Sequence, residues 1–328
     1  MRVFLTHSAE MFRGFYGDRA LAALRSHAVV QLNETGAVLD NPDALIEAAG
    51  NAQVLVADRR TPVPAAAFAR MPSLVAICRV AVDISTIDVS AASRYGVLVT
   101  QATPGFADAV VELAIGMLVD LSRGISCCVV AYRSGAQPAM RMGRQLRGAT
   151  IGIIGFGVIG QRLALLAGAL GMRVLVDDPH RTVASSEASQ VGFIDLLSNS
   201  DYVVCLAVSV PETFHLMNAA AFAAMRPGAC FLNLSRGELV DEVALIDALD
   251  RGHLAGAAMD VGSASDQKPP AALASRPDVI ATPHIGGMTV EAAEHQAFDT
   301  VRQVAALAAG HLPPGSVNAE AATRWRRP

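Results

Sequence analysis

The sequence predicts an α/β protein of two doubly wound parallel-sheet domains, one inserted into the other. Three observations predict it. Short apolar, β-branched runs alternate with helical stretches along most of the chain, which is the signature of βαβ crossovers. A Gly-rich turn near the middle opens a second series of the same kind. A long helical stretch at 290–308 follows the last strand and can return to pack on the first series.

In the first series, strands are expected at Val3–Leu5, Ala28–Leu32, Gln53–Ala57, Leu74–Cys78 and Val97–Thr100. Helices fall between them, around Phe12–Leu24, Pro42–Ala49, Pro64–Arg70 and Ile87–Arg94. Gly105–Arg123 reads as a long helix that could bridge two domains, and a turn-rich segment from Ser134 to Gly148 leads to the next strand. In the second series, strands are expected at Thr150–Ile154, Arg173–Asp178, Tyr202–Leu206, Ala229–Leu234, Ala255–Asp260 and Val279–Ala281. Its helices are expected at Gln161–Gly171, near Thr213–Met225 and at Glu242–Asp250.

Gly155, Gly157 and Gly160 have the Gly-x-Gly-x-x-Gly spacing of a dinucleotide site. The first glycine allows the tight strand-to-helix turn, the second lets backbone approach a pyrophosphate, and the third lets helix and strand pack closely. The helix N-terminus then aims amide N–H groups at the phosphates. Asp178 follows 18 residues after Gly160. A carboxylate there accepts hydrogen bonds from ribose hydroxyls and repels a 2′-phosphate, which favours NAD over NADP. The competing readings are an acid that only caps a turn before Pro179, and an Arg181 that meets a 2′-phosphate.

Composition narrows the function classes. The 328 residues are 52% apolar with a formal charge of −4, enough for two cores and without a basic stripe for nucleic acid. The Arg324-Trp325-Arg326-Arg327 end is expected to be a solvated tail. Cys78, Cys127, Cys128, Cys205 and Cys230 lack metal-ligand spacing and suit a reducing compartment, so no metal is expected. No basic leader opens the chain, and no run approaches the ~18 apolar residues of a membrane span, so a soluble cytoplasmic protein is expected.

In open parallel sheets, ligands bind at the carboxyl ends of strands. Ser235-Arg236-Gly237, Asp260-Val261-Gly262 and Pro283-His284-Ile285-Gly286-Gly287 all fall there. Each is ambiguous alone: Arg236 could be a surface arginine, His284 a turn histidine, and Asp260 a helix cap. Together they suit hydride transfer to a 2-keto acid. A guanidinium grips carboxylate and carbonyl oxygens as a fork, and an imidazole of ordinary pKa ~6.5 exchanges a proton with the carbonyl oxygen.

The same residues carry a resemblance. Asn233–Leu245 resembles the arginine signature of the D-isomer-specific 2-hydroxyacid dehydrogenase family, Thr282–Gly287 its histidine signature, and Gly256–Val261 its intervening strand. Pro211–Thr213 and Ala109–Leu121 match further landmarks. The resemblance implies a Rossmann NAD-binding domain (101–290) inserted into a flavodoxin-like substrate domain (1–100 and 291–328), with a homodimer built on the former. It implies that Arg236 and His284 are catalytic, acting on a small 2-keto or 2-hydroxy acid. The expected cofactor-binding set is Gly155, Gly157, Val158, Ile159, Gly160, Asp178, Val208, Ser235, Asp260 and Gly286.

The chain also departs from the family pattern. Relatives pair the histidine with a glutamate in the loop that is here Gly262–Pro269, which has none. Ungapped counting places Ser265 there, and a small gap offers Asp266 or Gln267; Asp266 is the preferred third catalytic residue. The substrate turn after Arg79 carries Val80 and Ala81 where relatives are glycine-rich, which is expected to leave their N–H groups available to a carboxylate while narrowing the pocket. Asp83 either faces the site or bonds its own turn. Arg59 and Arg60 are candidates for a second contact with an acidic substrate. Val158 replaces a pyrophosphate-binding arginine, which implies a looser cofactor hold. An NAD-binding regulatory protein of corepressor type is the alternative function, and formate oxidation a third.

Overall fold

In the computed structural model, which describes residues 1–183 and 188–326, the described strands form two all-parallel sheets. The chain divides into two compact units, Met1–Phe106 with Met288–Pro328, and Ala107–Gly287.

The first unit contains β1 (Arg2–Leu5), β2 (Val29–Leu32), β3 (Val54–Ala57), β4 (Ala76–Arg79) and β5 (Leu98–Thr100), in the flavodoxin-like order β2-β1-β3-β4-β5. Every residue of β3 and β4 is buried, because helices cover both faces. Strand alternation sorts the apolar side chains into two layers. Phe4, Leu55 and Ile77 face a cluster with Phe68 and Leu45. Val3, Leu5, Val54 and Val56 face the other, with Leu24, Val301 and Val304. Helix Val290–Ala308, capped by Thr289 Oγ1 on Ala292 N, thus completes the layer that the chain's beginning leaves open.

The second unit contains β6 (Thr150–Ile154), β7 (Arg173–Asp177), β8 (Ala188–Gln190), β9 (Tyr202–Cys205), β10 (Ala229–Asn233), β11 (Leu254–Met259) and β12 (Val279–Ala281). Their order is β12-β11-β10-β9-β6-β7-β8, the Rossmann arrangement with one further strand. The order reverses at β6, which lies between β9 and β7. The carboxyl end of β6 is therefore the switch point, and it carries the Gly-rich turn. Phe222 and Phe231 meet edge-to-face at 5.3 Å in the core behind this edge.

Several expected elements differ. The helix expected at Phe12–Leu24 is two helices, Ala9–Phe15 and Gly17–Arg25. Gly17 at φ +82° breaks it, and Tyr16 turns inward to bond Thr300 Oγ1 at 3.2 Å. The expected bridge Gly105–Arg123 begins only at Ala107 and lies wholly in the second unit. Its start is late because the preceding residues stay with the first unit: Ala102 N donates to Ala81 O at 3.0 Å, and Thr103 N and Oγ1 both donate to Asp299 Oδ2 at 2.7 Å. The two units divide the chain at 106/107 and 287/288, where 100/101 and 290/291 are expected. The expected Thr213–Met225 helix is shortened to Ala219–Ala224, begun by an Asn218 cap.

The chain end is not a solvated tail. Trp325 packs against the first unit's core, and Arg324 donates to the carbonyls of Met71, Pro72 and Leu74 at 3.1–3.3 Å. Arg327 lies outside the described residues. Cys78, Cys205 and Cys230 are buried in β4, β9 and β10, where burial pushes their thiols up to about 12, 12 and 11. Among the described residues, no single helix is long and apolar enough to cross a membrane.

Candidate active site

The Gly-rich turn has the shape a dinucleotide needs. Gly155 has φ +94°, and a Cβ there would sit 2.8 Å from the Leu206–Ala207 backbone. A Cβ on Gly160 would overlap Gly155 O, so only glycine lets helix Val158–Ala169 lie this close to β6. Beside Gly157 the space is open. The N–H groups of Val158, Ile159 and Gly160 start the helix without helical partners, as a pyrophosphate requires. Val158 is 48% exposed and brings no charge to this turn. These residues fit NAD.

Asp178 follows β7 and its carboxylate is already oriented. Oδ2 accepts from Phe156 N at 2.7 Å and Oδ1 from His180 N at 2.9 Å, which ties the acid to the middle of the glycine turn. Each oxygen retains a lone pair for a ribose hydroxyl. Asp177 beside it has its carboxyl pushed up by burial and by the neighbouring Asp178 charge. Val208, in the loop after β9, is 69% exposed, and its carbonyl accepts from Thr213 Oγ1 at 2.7 Å.

The loop after β10 is built on the buried Asn233. Its Nδ2 donates to Arg236 O at 2.9 Å and its Oδ1 accepts from Ser235 N at 3.1 Å, closing a turn that exposes Arg236. Ser235 Oγ donates to Ala207 O, joining this loop to the one after β9. Arg236 Nη1 donates to Ser235 O at 2.8 Å, and the rest of the guanidinium fork is exposed.

Asp260 follows β11 directly, at 3% exposure, and organises the loop after β12. Oδ1 accepts from Thr282 Oγ1 at 2.6 Å and from Ile285 N at 2.8 Å; Oδ2 accepts from Gly286 N at 2.8 Å. The intervening His284 takes φ +60° and donates its own amide to Thr282 O at 3.0 Å. Left-handed backbone at a non-glycine residue costs about 1–3 kcal/mol and persists where its surroundings over-determine it. The carboxylate does that here, presenting a half-buried imidazole at the strand edge shared with Arg236.

Asp266 is exposed in the loop after β11. Its Oδ1 accepts from Lys268 N at 3.2 Å, and Oδ2 lies 3.5 Å from Lys268 Nζ. Gln267 has φ +55°, and its carbonyl accepts from Gly262 N at 3.0 Å, closing the loop.

The expected substrate residues lie in the first unit, at the carboxyl ends of β3 and β4. One expectation fails: Val80 N donates to Ala57 O at 2.9 Å, because the β3–β4 pairing continues one residue past the strand, so this amide is not available to a carboxylate. The amides of Ala81 and Val82 find no acceptor among the described residues. Arg59 and Arg60 are exposed, with Arg59 5.6 Å over the Phe15 ring. Beneath them Asp58 accepts from Thr6 Oγ1, Arg60 N, Thr61 N and Thr61 Oγ1 at 2.7–3.2 Å. Burial pushes its carboxyl up, but those donors and neighbouring His7 outweigh it, and the net shift is downward. His7 is 3% exposed and burial lowers it to about 4, so it is neutral at pH 7.

Asn233, Thr282 and Arg79 enter the sequence motifs only as members, and their supporting roles appear in the hydrogen bonds. The Asn233-Leu234-Ser235 turn chemistry was the one available signal. Replacing Asp260 with Asn puts an amide NH2 against a donor in a buried site. The expected result is a loss of about 1–3 kcal/mol in urea unfolding and faster amide exchange at Ile285 and Gly286. Unchanged protection there would contradict the clamp.

Comparison with known proteins accords with this geometry. Residues 115–286 match the family model described as D-isomer specific 2-hydroxyacid dehydrogenase, NAD binding domain. The chain is 34% identical over 86% of its length to the D-3-phosphoglycerate dehydrogenase of Mycobacterium leprae, spanning about half (54%) of that longer protein. It is 36% identical over 77% of its length, and 79% of the relative's, to the glyoxylate reductase of Thermococcus litoralis. The solved structure of TT0316 protein from Thermus thermophilus is similar over 97% of this chain and 100% of that one, with 30% identity and a TM-score of 0.84. The chain belongs to the D-isomer specific 2-hydroxyacid dehydrogenase family, and its second unit carries the family's NAD-binding domain.

Proposed function

We propose that this chain reduces a 2-keto acid to the D-2-hydroxy acid with NADH, and runs the reverse oxidation with NAD. The observation that carries the reading is the Asp260 clamp, which holds His284 at the same sheet edge as the dinucleotide cradle and the Arg236 loop. Bound NADH supplies the hydride. The chain's own part is binding and proton transfer. Arg236 offers a fork that suits the substrate's carboxylate and carbonyl oxygens. The His284 imidazolium gives its proton to the carbonyl oxygen as C2 accepts the hydride, and takes it back in oxidation.

Asp266 is the acid we propose to steady that imidazolium. Its surface ion pair with Lys268 is worth about 0–1 kcal/mol, which leaves the carboxylate able to exchange partners. In the first unit, the Ala81 and Val82 amides together with Arg59 and Arg60 suit an acidic substrate carrying a second negative group. The names of the M. leprae and T. litoralis relatives support the reaction class.

The test is NADH oxidation over a panel of 2-keto acids, with glyoxylate and formate in parallel. His284→Ala is expected to lower kcat by about 10²- to 10⁴-fold with little change in NADH affinity. Undiminished turnover in that variant would remove His284 from its role. Tight NADH binding with no turnover of any panel member by the wild-type protein would favour an NAD-binding regulatory protein.

We propose further that the protein is a homodimer through its second unit. Helix Ile125–Arg133 buries none of its residues; Ile125, Val130 and Tyr132 are at least half exposed, and Met140 and Met142 are fully so. Light scattering is expected to give twice the chain mass, halved by Val130→Glu with Met142→Glu. A wild-type monomer at micromolar concentration would contradict it.

A further inference from the structure

Arg79 is the largest fully buried side chain of the molecule's described residues, at 1% exposure. All five of its N–H donors are taken. Nη1 donates to Asp58 O and to Thr61 O (3.1 Å), and Nη2 donates to Arg59 O at 2.8 Å. Nε donates to Asp83 O at 3.2 Å, and Nη2 also to Thr86 Oγ1 at 2.5 Å. The first three acceptors belong to the loop after β3, and the last two to the loop after β4.

We propose that Arg79 is a positioning residue that sets the spacing between an arginine grip (Arg59 and Arg60) and an amide grip (Ala81 and Val82) on the substrate. Carbonyls of residues 58, 59 and 61 converge on one point, and without a cation they would repel one another and open the loop. A rigid planar fork is the one side chain that satisfies five acceptors at fixed angles. Lysine carries the same charge but three donors on a flexible stem, so at least two acceptors would be left unmet in a buried place. Asp58 completes the plinth from the other side, its carboxylate holding the Arg60 and Thr61 amides. The proposal rests on the dehydrogenase reading for its substrate, but its geometry lies entirely within the first unit.

The test uses full-length Arg79→Lys and Arg79→Ala. With a 2-keto acid that the wild-type protein turns over, Arg79→Lys is expected to raise KM by about ten- to a hundredfold, as loss of uniform substrate binding does, while kcat falls much less and NADH affinity is unchanged. Millimolar guanidinium ion is expected to lower the raised KM of Arg79→Ala toward the wild-type value. Hydrogen exchange supplies a readout independent of turnover: protection of residues 58–61 and 80–86 should be lost together in Arg79→Lys, with the second unit unaffected. Wild-type KM in folded Arg79→Lys, or loosening of only one of the two loops, would overturn the proposal. Absence of wild-type turnover on every keto acid would instead tell against the dehydrogenase reading, and exchange would still decide whether Arg79 couples the loops.

Discussion

The carboxylate of Asp260 accepts three hydrogen bonds at the end of β12, from a threonine hydroxyl and from two backbone amides that follow His284. A buried carboxylate is costly to desolvate, and hydrogen bonds from such donors are what make it tolerable. Here the same bonds fix the loop. Ile285 N and Gly286 N can both reach one carboxylate only if the chain turns sharply just before them, and that turn places His284 at φ +60°. The backbone conformation at His284 is thus tied to the residue that follows β11, the neighbouring strand. Position and the proposed proton chemistry are then separable: Asp260 fixes the loop backbone, and His284 is the residue proposed to move the proton.

The first unit uses a buried charge in the same way with the opposite sign. Arg79 gathers backbone oxygens from two loops, as Asp260 gathers backbone donors from one. In both units the sheet ends in apolar strands that carry no orientation information of their own. The charged residue just at or past the strand end supplies it. Asn233 is the neutral version, closing the Arg236 turn with one donor and one acceptor.

What the sequence made legible follows from burial. Strands such as β3, β4 and β6 are covered on both faces, so each is written as an unbroken apolar run bounded by turn residues. The cradle was legible because close approach admits only glycine at Gly155 and Gly160. Asp178, Arg236, Asp260 and His284 stood out as polar residues at strand ends. The break at Gly17 was hidden because it depends on where Tyr16 packs, against a helix residue 284 positions away in sequence. Helix Ile125–Arg133 was hidden because it buries nothing and so has no periodic face. The lost Val80 amide turns on one extra rung of pairing, which composition does not encode. Arg79 read as a landmark before a turn; its role needs the two loops to meet, and that is a property of the sheet order.

In the proposed reaction, hydride passes between NAD(H) and C2 of a 2-keto acid while His284 moves the proton. NADH carrying deuterium at the transferring position of C4, incubated with the chain and a 2-keto acid that it consumes, tests this most directly. The expected product is the hydroxy acid with one deuterium at C2, in the D configuration alone. Product without deuterium at C2, or equal amounts of both enantiomers, would contradict it.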